Sequence, residues 1–178
     1  MSQLPTIAPP SLGSRAHTGV TYLIEHLRAG EVLSAEVVEN LMPAEGRNHM
    51  LGVTFKSVAP SAKWYLGVFE NNSYPADDLK ASTVVATLGE SVAYTPTTRP
   101  VFTPGEVAAG AVDNTAARAE FTFTESKRIY GGFMASSPTR GSGTGVLISA
   151  ARFAAAKDVT AGDTLRVTAA FELVSASE

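Results

Sequence analysis

Apolar and polar residues alternate most clearly in the segment AEFTFTESKRIYGGFMA, residues 119–135. Phe121 and Phe123 are separated by single polar residues, which is the period of a half-buried β-strand. The polar run ESK at 125–127 is suited to a short connection, and the return arm 128–135 carries apolar side chains on both faces around a Gly-Gly pair. The pattern therefore predicts a β-hairpin.

After residue 50, the rest of the chain also has the spacing of turn-forming residues that is typical of a β-protein. Apolar or alternating runs are separated by clusters of Gly, Pro, Asn, Asp and Ser, which form turns. The predicted strands, besides the hairpin, are residues 51–58, 63–70, 82–88, 106–112, 146–153 and 164–174. Seven or eight short strands with frequent turns predict a mainly β fold, as an antiparallel β-sandwich or a jelly-roll-like barrel.

The first 50 residues show a different period. Between residues 18 and 28, apolar residues recur at i, i+3, i+4 and i+7, which is typical of an amphipathic helix. These residues are Val20, Leu23, Ile24 and Leu27. A second helical turn is predicted over residues 35–41, with Ser34 as its N-cap. The opening MSQLPTIAPP is rich in proline and predicts extended chain.

Aromatic residues divide the chain at about the same place. Tyr22 is the only aromatic residue before Phe55. We therefore predict an N-terminal extended and helical arm over residues 1–50 and a β-sandwich body over residues 51–178. The runs 63–70 and 128–135 are apolar on both faces, although one face of a small antiparallel sheet normally meets water. Their extra cover is predicted to come from the arm or from another subunit, so that a homo-oligomer, dimer or trimer, is one interpretation.

Composition narrows the function classes. The net charge is −3, and the 14 Lys and Arg residues are scattered, whereas a nucleic-acid binder normally carries a basic face. No run approaches the length of a membrane span, and the N-terminus lacks the pattern of a secretory signal. There are no cysteines, which excludes disulfides and thiolate chemistry. We expect no nucleic-acid partner, no membrane partner and no cofactor.

Catalytic signals are weak. The glycine-rich segment 141–145 is followed by a β-run rather than a helix, so a mobile loop is favoured over a phosphate site. No metal or hydrolase spacing is present around the histidines, and the acidic residues are typical of a solvated surface. These residues are His17, His26, His49, Asp77, Asp78, Glu120 and Glu172. We predict no catalytic, cofactor-binding or metal-binding residue, and hence no enzyme. Trp64 is interpreted as a core anchor or an interface platform.

From Leu41 onward, the chain resembles a family of small virion proteins of short-tailed bacteriophages, described as capsid decoration, cement or head-fibre proteins. The resemblance is carried by LMPAEGRNHML at 41–51, KWYLGVFE at 63–70, AVDNTAARAEFTFTESKRIYGGFMAS at 111–136 and GTGVLISAARFAAAKDVTAGDTLRVTAAFEL at 143–173. It implies a structural protein, made in the host cytoplasm and located on the capsid surface of the virion. Its implied partners are the major capsid protein and further copies of itself.

We predict that capsid or partner contacts come from the arm helix and from the segment 41–50. The predicted partner-binding residues are Val20, Leu23, Ile24, Leu27, Leu41, Met42, Pro43, Asn48, His49 and Met50. One alternative is a tail, fibre or adaptor component of the same virion. Another is a glycan-binding β-sandwich that uses Tyr74, Tyr94 or Trp64.

Overall fold

The computed structural model describes residues 17–174, and the structural statements below concern that range. The chain forms two antiparallel sheets and short helices. The strands are β1 (His17–Arg28), β2 (Glu31–Glu39), β3 (Trp64–Phe69), β4 (Tyr94–Thr95), β5 (Val101–Phe102), β6 (Ala111–Asp113), β7 (Ala119–Phe123), β8 (Lys127–Ala135), β9 (Leu147–Val159) and β10 (Thr164–Val174). The helices are α1 (Ala44–Phe55), α2 (Ala81–Val84) with a wider π-type turn at Val85–Gly89, and a 3₁₀ turn at Thr115–Ala117.

The larger sheet has the order β2-β1-β10-β7-β4, with β6 also paired to β10, and the smaller sheet has the order β5-β3-β8-β9. Apolar side chains from both sheets pack between them, among them Tyr22, Leu66 and Phe121. The prediction of a mainly β protein with an antiparallel sandwich is confirmed. The more specific jelly-roll topology stays a prediction. Within residues 17–174, no helix is long and apolar enough to cross a membrane.

The two predicted N-terminal helices are wrong. Residues 17–28 and 31–39 form β1 and β2, and β1 lies inside the larger sheet between β2 and β10. Val20, Tyr22 and Ile24 are buried at every second position, so a period of two fits this segment as well as the helical period does. Pairing with β10 along the length of β1 decides between them. Residues 17–50 are therefore not a separate arm, and the proline-rich opening lies outside the described residues.

Two predicted strands are helical instead. Residues 51–58 belong largely to α1, and residues 82–88 form α2 and the π-type turn. Helix α1 lies directly on β9, since a Cβ added at Gly46 would stand 2.7 Å from the carbonyl oxygen of Ile148. The Glu45 carboxylate fixes this arrangement, because its Oε2 accepts hydrogen bonds from the backbone N–H groups of Ala81 (2.8 Å) and Leu147 (2.7 Å). Of the predicted strand 106–112, residues 111 and 112 lie in a strand, β6, which ends at Asp113.

The segment 119–135 does contain two strands, but it is not a hairpin. Strand β7 pairs with β10 and β4 in the larger sheet, whereas β8 pairs with β3 and β9 in the smaller one. The connection between them crosses the edge of the sandwich. Phe121 and Phe123 of the larger sheet therefore belong to the same core as Ile129 of the smaller sheet. They are not neighbours within one sheet. A local period reveals a strand but does not reveal which strand it pairs with.

The smaller sheet is covered on its outer face by the chain itself. A second apolar cluster, which we call the closed cluster, comprises Phe69, Leu79, Ala81, Val84, Leu88, Phe133, Ala135, Leu147 and Ala150. The prediction that these strands are apolar on both faces is therefore right. Within the described residues this cover comes mainly from α2 and its flanking turns, which lie outside the predicted arm, and cover by another subunit stays a prediction.

Candidate functional site: an apolar cleft

An open cleft of about 460 Å³ lies where β3, β5, β9 and β10 approach α1 and the loop before β6. It is lined by Met50, Trp64, Phe102, Pro104, Val107, Gly110, Ala111, Val112, Ile148, Phe171, Glu172 and Leu173. Its volume is within the range of about 300–1,000 Å³ typical of binding pockets. Glu172 is the charged residue of this lining, so the cleft is almost entirely apolar. We call it the open cleft.

Aromatic rings build the walls of the open cleft. Trp64 opens β3 and pairs with Phe102 of β5. The ring of Phe102 meets that of Phe171 edge-on, with centroids 5.9 Å apart. His49 of α1 lies edge-on to Trp64 at 5.7 Å. Edge-to-face contacts of this kind hold rings in fixed orientations, so these walls are formed before any partner arrives.

The rim of the open cleft leaves large apolar side chains in water. Val107 is 72% exposed and Leu173 is 57% exposed. The loop that carries Val107 is held by a tight turn, in which Ala108 and Ala111 exchange backbone hydrogen bonds. Gly110 has φ +79°, and a Cβ there would lie 2.8 Å from the carbonyl oxygen of Leu173, so glycine brings this loop against β10. Exposed apolar side chains around an apolar cleft are typical of an interaction site.

The chemistry of this site is that of desolvation rather than proton transfer. Burying apolar surface stabilises a complex by about 25 cal/mol per Å². Among residues 17–174, no three His, Asp or Glu side chains are close enough together to share a metal ion. The arrangement is suited to receiving an apolar group from another molecule.

Half of the predicted partner-binding residues are buried within the fold. Val20, Ile24 and Leu27 of the supposed arm helix lie in the core, and Met42 and Pro43 are also buried. As buried side chains these five offer no contact surface, and the first three are buried because the arm helix that would have displayed them does not form. We therefore correct that part of the prediction.

The other half remains at least partly accessible. Leu23 is half-buried, Leu41 is half-buried and its backbone bonds to that of Ala150, and Asn48 is exposed on α1. His49 and Met50 are brought to the open cleft. Trp64 packs on the core and also lines the cleft, and its role as an interface platform stays a prediction. Phe102, Val107 and Phe171 were missed by the sequence analysis.

Some of the acidic and histidine side chains considered for catalysis are held in structural contacts, and others are exposed. Asp77 pairs with Arg47, and Asp78, Glu120 and Glu172 are exposed. His17 begins β1, and His26 Nε2 lies 2.9 Å from Asp163 Oδ2. The hydrogen bonds that Arg28 donates hold the pKa of Asp163 far below its ordinary value. Burial opposes this shift, whereas hydrogen bonds from Thr160 N–H and His26 add to it. The glycine-rich loop is anchored, since Gly141 N–H donates to Glu90.

Glu90 and Arg99 form an ion pair with side chains that are 0% exposed. The guanidinium is bidentate on the carboxylate, with both N–O distances 2.7 Å, and also donates to the carbonyl oxygens of Ser137 and Ser142. Its plane lies over the Phe133 ring of the closed cluster at 5.0 Å. This pair joins the glycine-rich loop to the covered side of the smaller sheet.

A scan of family models finds no match to the chain, and a search of curated proteins finds none either.

Proposed function

We propose that this protein is a non-enzymatic structural component of a bacteriophage virion that binds the outside of the capsid and decorates or cements neighbouring major capsid subunits. The observation that carries the proposal is the open cleft, an apolar site of about 460 Å³ with exposed apolar side chains at its rim. The resemblance of residues 41–173 to decoration proteins supplies the kind of partner.

A modest interface is sufficient for this role. Each copy buries a small apolar area when a side chain of a capsid subunit enters the open cleft. Many copies on one lattice, each in contact with neighbouring subunits, add up to a large stabilisation of the shell. The aromatic walls are preformed, so little ordering of the cleft opposes binding.

The test uses empty shells from particles that lack this protein, to which the purified full chain is added and co-sedimented. Saturable binding at hundreds of copies per shell is expected. Val107→Asp is expected to weaken binding at least tenfold, because a carboxylate would have to be desolvated at the rim. Val92→Asp is the matched control, since Val92 is also an exposed valine, at 51%, but does not line the cleft.

Two results would contradict the proposal. If the wild-type chain does not bind such shells, the decoration function is wrong. If Val107→Asp and Val92→Asp bind equally well, the shell contact does not involve the open cleft. A few copies at a single vertex would favour the alternative of a tail, fibre or adaptor component, which quantitative mass spectrometry of the intact virion distinguishes.

A further inference from the structure

A second site lies on the outer face of the smaller sheet, where an arginine is held between two tyrosines. The Arg152 guanidinium of β9 is 4.6 Å from the ring centroid of Tyr74 and 5.8 Å from that of Tyr130. The Arg128 guanidinium also lies over the Tyr130 ring, 5.8 Å from its centroid. Tyr130 packs beside the closed cluster, and Tyr74 is 75% exposed. We call Arg152, Tyr74 and Tyr130 the arginine–tyrosine stack; Arg128 is a neighbour that pairs with Asp158 and is not part of it.

Arg152 differs from most arginines of the described chain in having no carboxylate beside it. Those with an Asp or Glu oxygen within 4.0 Å are Arg28, Arg47, Arg99, Arg118, Arg128 and Arg166. Arg140 donates to the backbone carbonyls of Val92 and Tyr94. Among the ion pairs of residues 17–174, none includes Arg152. Its charge is therefore not neutralised by a neighbouring carboxylate.

Neutral acceptors nevertheless hold the Arg152 guanidinium in place. Its Nε and Nη2 both donate to the side-chain oxygen of Asn72, with the Nε at 3.1 Å, and its Nη1 donates to the carbonyl oxygen of Phe153 at 3.2 Å. A guanidinium carries five N–H groups, so both Nη atoms keep one that these contacts do not use. The group is oriented, charged and incompletely hydrogen-bonded.

We propose that the arginine–tyrosine stack binds a carboxylate side chain of a partner protein. A planar guanidinium with N–H groups left on both Nη atoms matches the two oxygens of a carboxylate. Arg and Tyr are among the residue types that most often dominate binding at protein–protein interfaces. We expect a sugar ring to bind less well than a carboxylate, because Arg152 already covers one face of the Tyr74 ring. The site is independent of the open cleft and goes beyond the proposed function.

The experiment is an NMR titration of the full chain with an acetylated peptide that contains two glutamates. Its control is the same peptide with glutamine in their place. The reporter is the backbone N–H of Gly131, whose residue is paired with Arg152 across β8 and β9. A saturable shift at millimolar peptide is expected with glutamate, is weakened by added salt, and is absent with glutamine.

Variants assign the effect to Arg152. Arg152→Gln is expected to abolish the shift, and Arg152→Lys to weaken binding severalfold, because lysine keeps the charge but loses the planar fork. Arg128→Gln is the matched control and is expected to change binding less than twofold, since Arg128 already faces Asp158 at 3.4 Å. If Arg152 had only a structural role, Arg152→Gln would lower the melting temperature but leave peptide binding unchanged.

Three outcomes would overturn the proposal. The first is an equal shift with both peptides. The second is an equal loss of binding in Arg128→Gln and Arg152→Gln. The third is tighter binding of sialyllactose than of the glutamate peptide, which would assign the site to an acidic glycan instead.

Discussion

The closed cluster and the open cleft are both apolar, and both border the smaller sheet, but the chain covers one and leaves the other open. In the closed cluster, Phe69, Phe133 and Leu88 are 0% exposed. Around the open cleft, Val107 and Leu173 remain more than half exposed. The difference lies in polar anchors. Glu45 and the Glu90–Arg99 pair tie the covering segments down by hydrogen bonds to backbone groups.

This contrast separates apolar surface that stabilises the fold from apolar surface that is available to a partner. A segment is closed over a sheet only if its own polar groups find partners there, because unpaired buried groups are costly. The closed cluster meets that requirement within the chain. The open cleft is not covered by the described chain, and variants in the two regions should therefore affect stability very differently.

The largest expected effect comes from breaking the buried ion pair. Arg99→Met leaves the Glu90 carboxylate buried without its partner, which should lower the free energy of unfolding by about 3–5 kcal/mol in urea denaturation. The double variant Arg99→Met with Glu90→Leu removes both charges and should recover part of the loss. A single variant within about 1 kcal/mol of wild type would show that the anchor does not hold the covered face.

The second prediction compares two leucines directly. Leu88→Ala opens a cavity in the closed cluster and should cost about 2–5 kcal/mol. Leu173→Ala is the matched control at the rim of the open cleft, where the side chain is 57% exposed, and it should cost less than about 1 kcal/mol. Equal losses in the two variants would remove the distinction between the regions.

The sequence predicted the parts of this contrast that depend on local periodicity. Strands β3, β7, β8 and β10 were found because their apolar residues alternate or run continuously, and the two-sided burial of β3 and β8 followed from the same pattern. Strand β1 was missed because its apolar residues also fit the helical period. The hairpin error arose because pairing partners are distant in sequence, as in β7 with β10.

The open cleft could not be found in this way, since it is assembled from elements far apart in the chain. Trp64, His49 and Met50 were marked individually, whereas Phe102 and Phe171 look like ordinary core residues of short strands. The exposed Val107 lies in a loop rich in small residues, which the sequence analysis assigned to a strand over residues 106–112. Cover over the smaller sheet was likewise assigned to the wrong segment, because residues 82–88 are as apolar as a strand.

The third prediction concerns a polar anchor away from both regions. Asp163 accepts hydrogen bonds from Arg28, His26 and Thr160 N–H, so Asp163→Asn should cost about 1–3 kcal/mol. The pKa of this carboxyl is lower in the folded chain than in the unfolded chain. Its contribution is therefore fully present above the unfolded pKa of about 3.9 and is lost as the pH falls below it.

Urea denaturation between pH 7 and pH 3 measures this dependence. The wild type should lose stability more steeply than Asp163→Asn below about pH 4, so that the difference between the two narrows as the pH falls toward the folded pKa. Parallel curves over the whole range would contradict the assignment of this pH dependence to Asp163. The variant also tests whether an anchor outside the closed cluster contributes less than the Glu90–Arg99 pair does.

The smallest expected effect on stability is that of Val107→Asp, the variant that is expected to lose binding to the shell. Val107→Asp alters a side chain that is 72% exposed, so its free energy of unfolding should stay within about 0.5 kcal/mol of wild type. Trp64 is the only tryptophan, and replacing it with 5-hydroxytryptophan gives a probe that can be excited selectively beside the shell proteins. Its emission should shift to shorter wavelength when wild-type chain docks, because the open cleft loses water, and should not shift with Val107→Asp. If Val107→Asp is stable, docks and shows the same shift, then the partner does not recognise the open cleft.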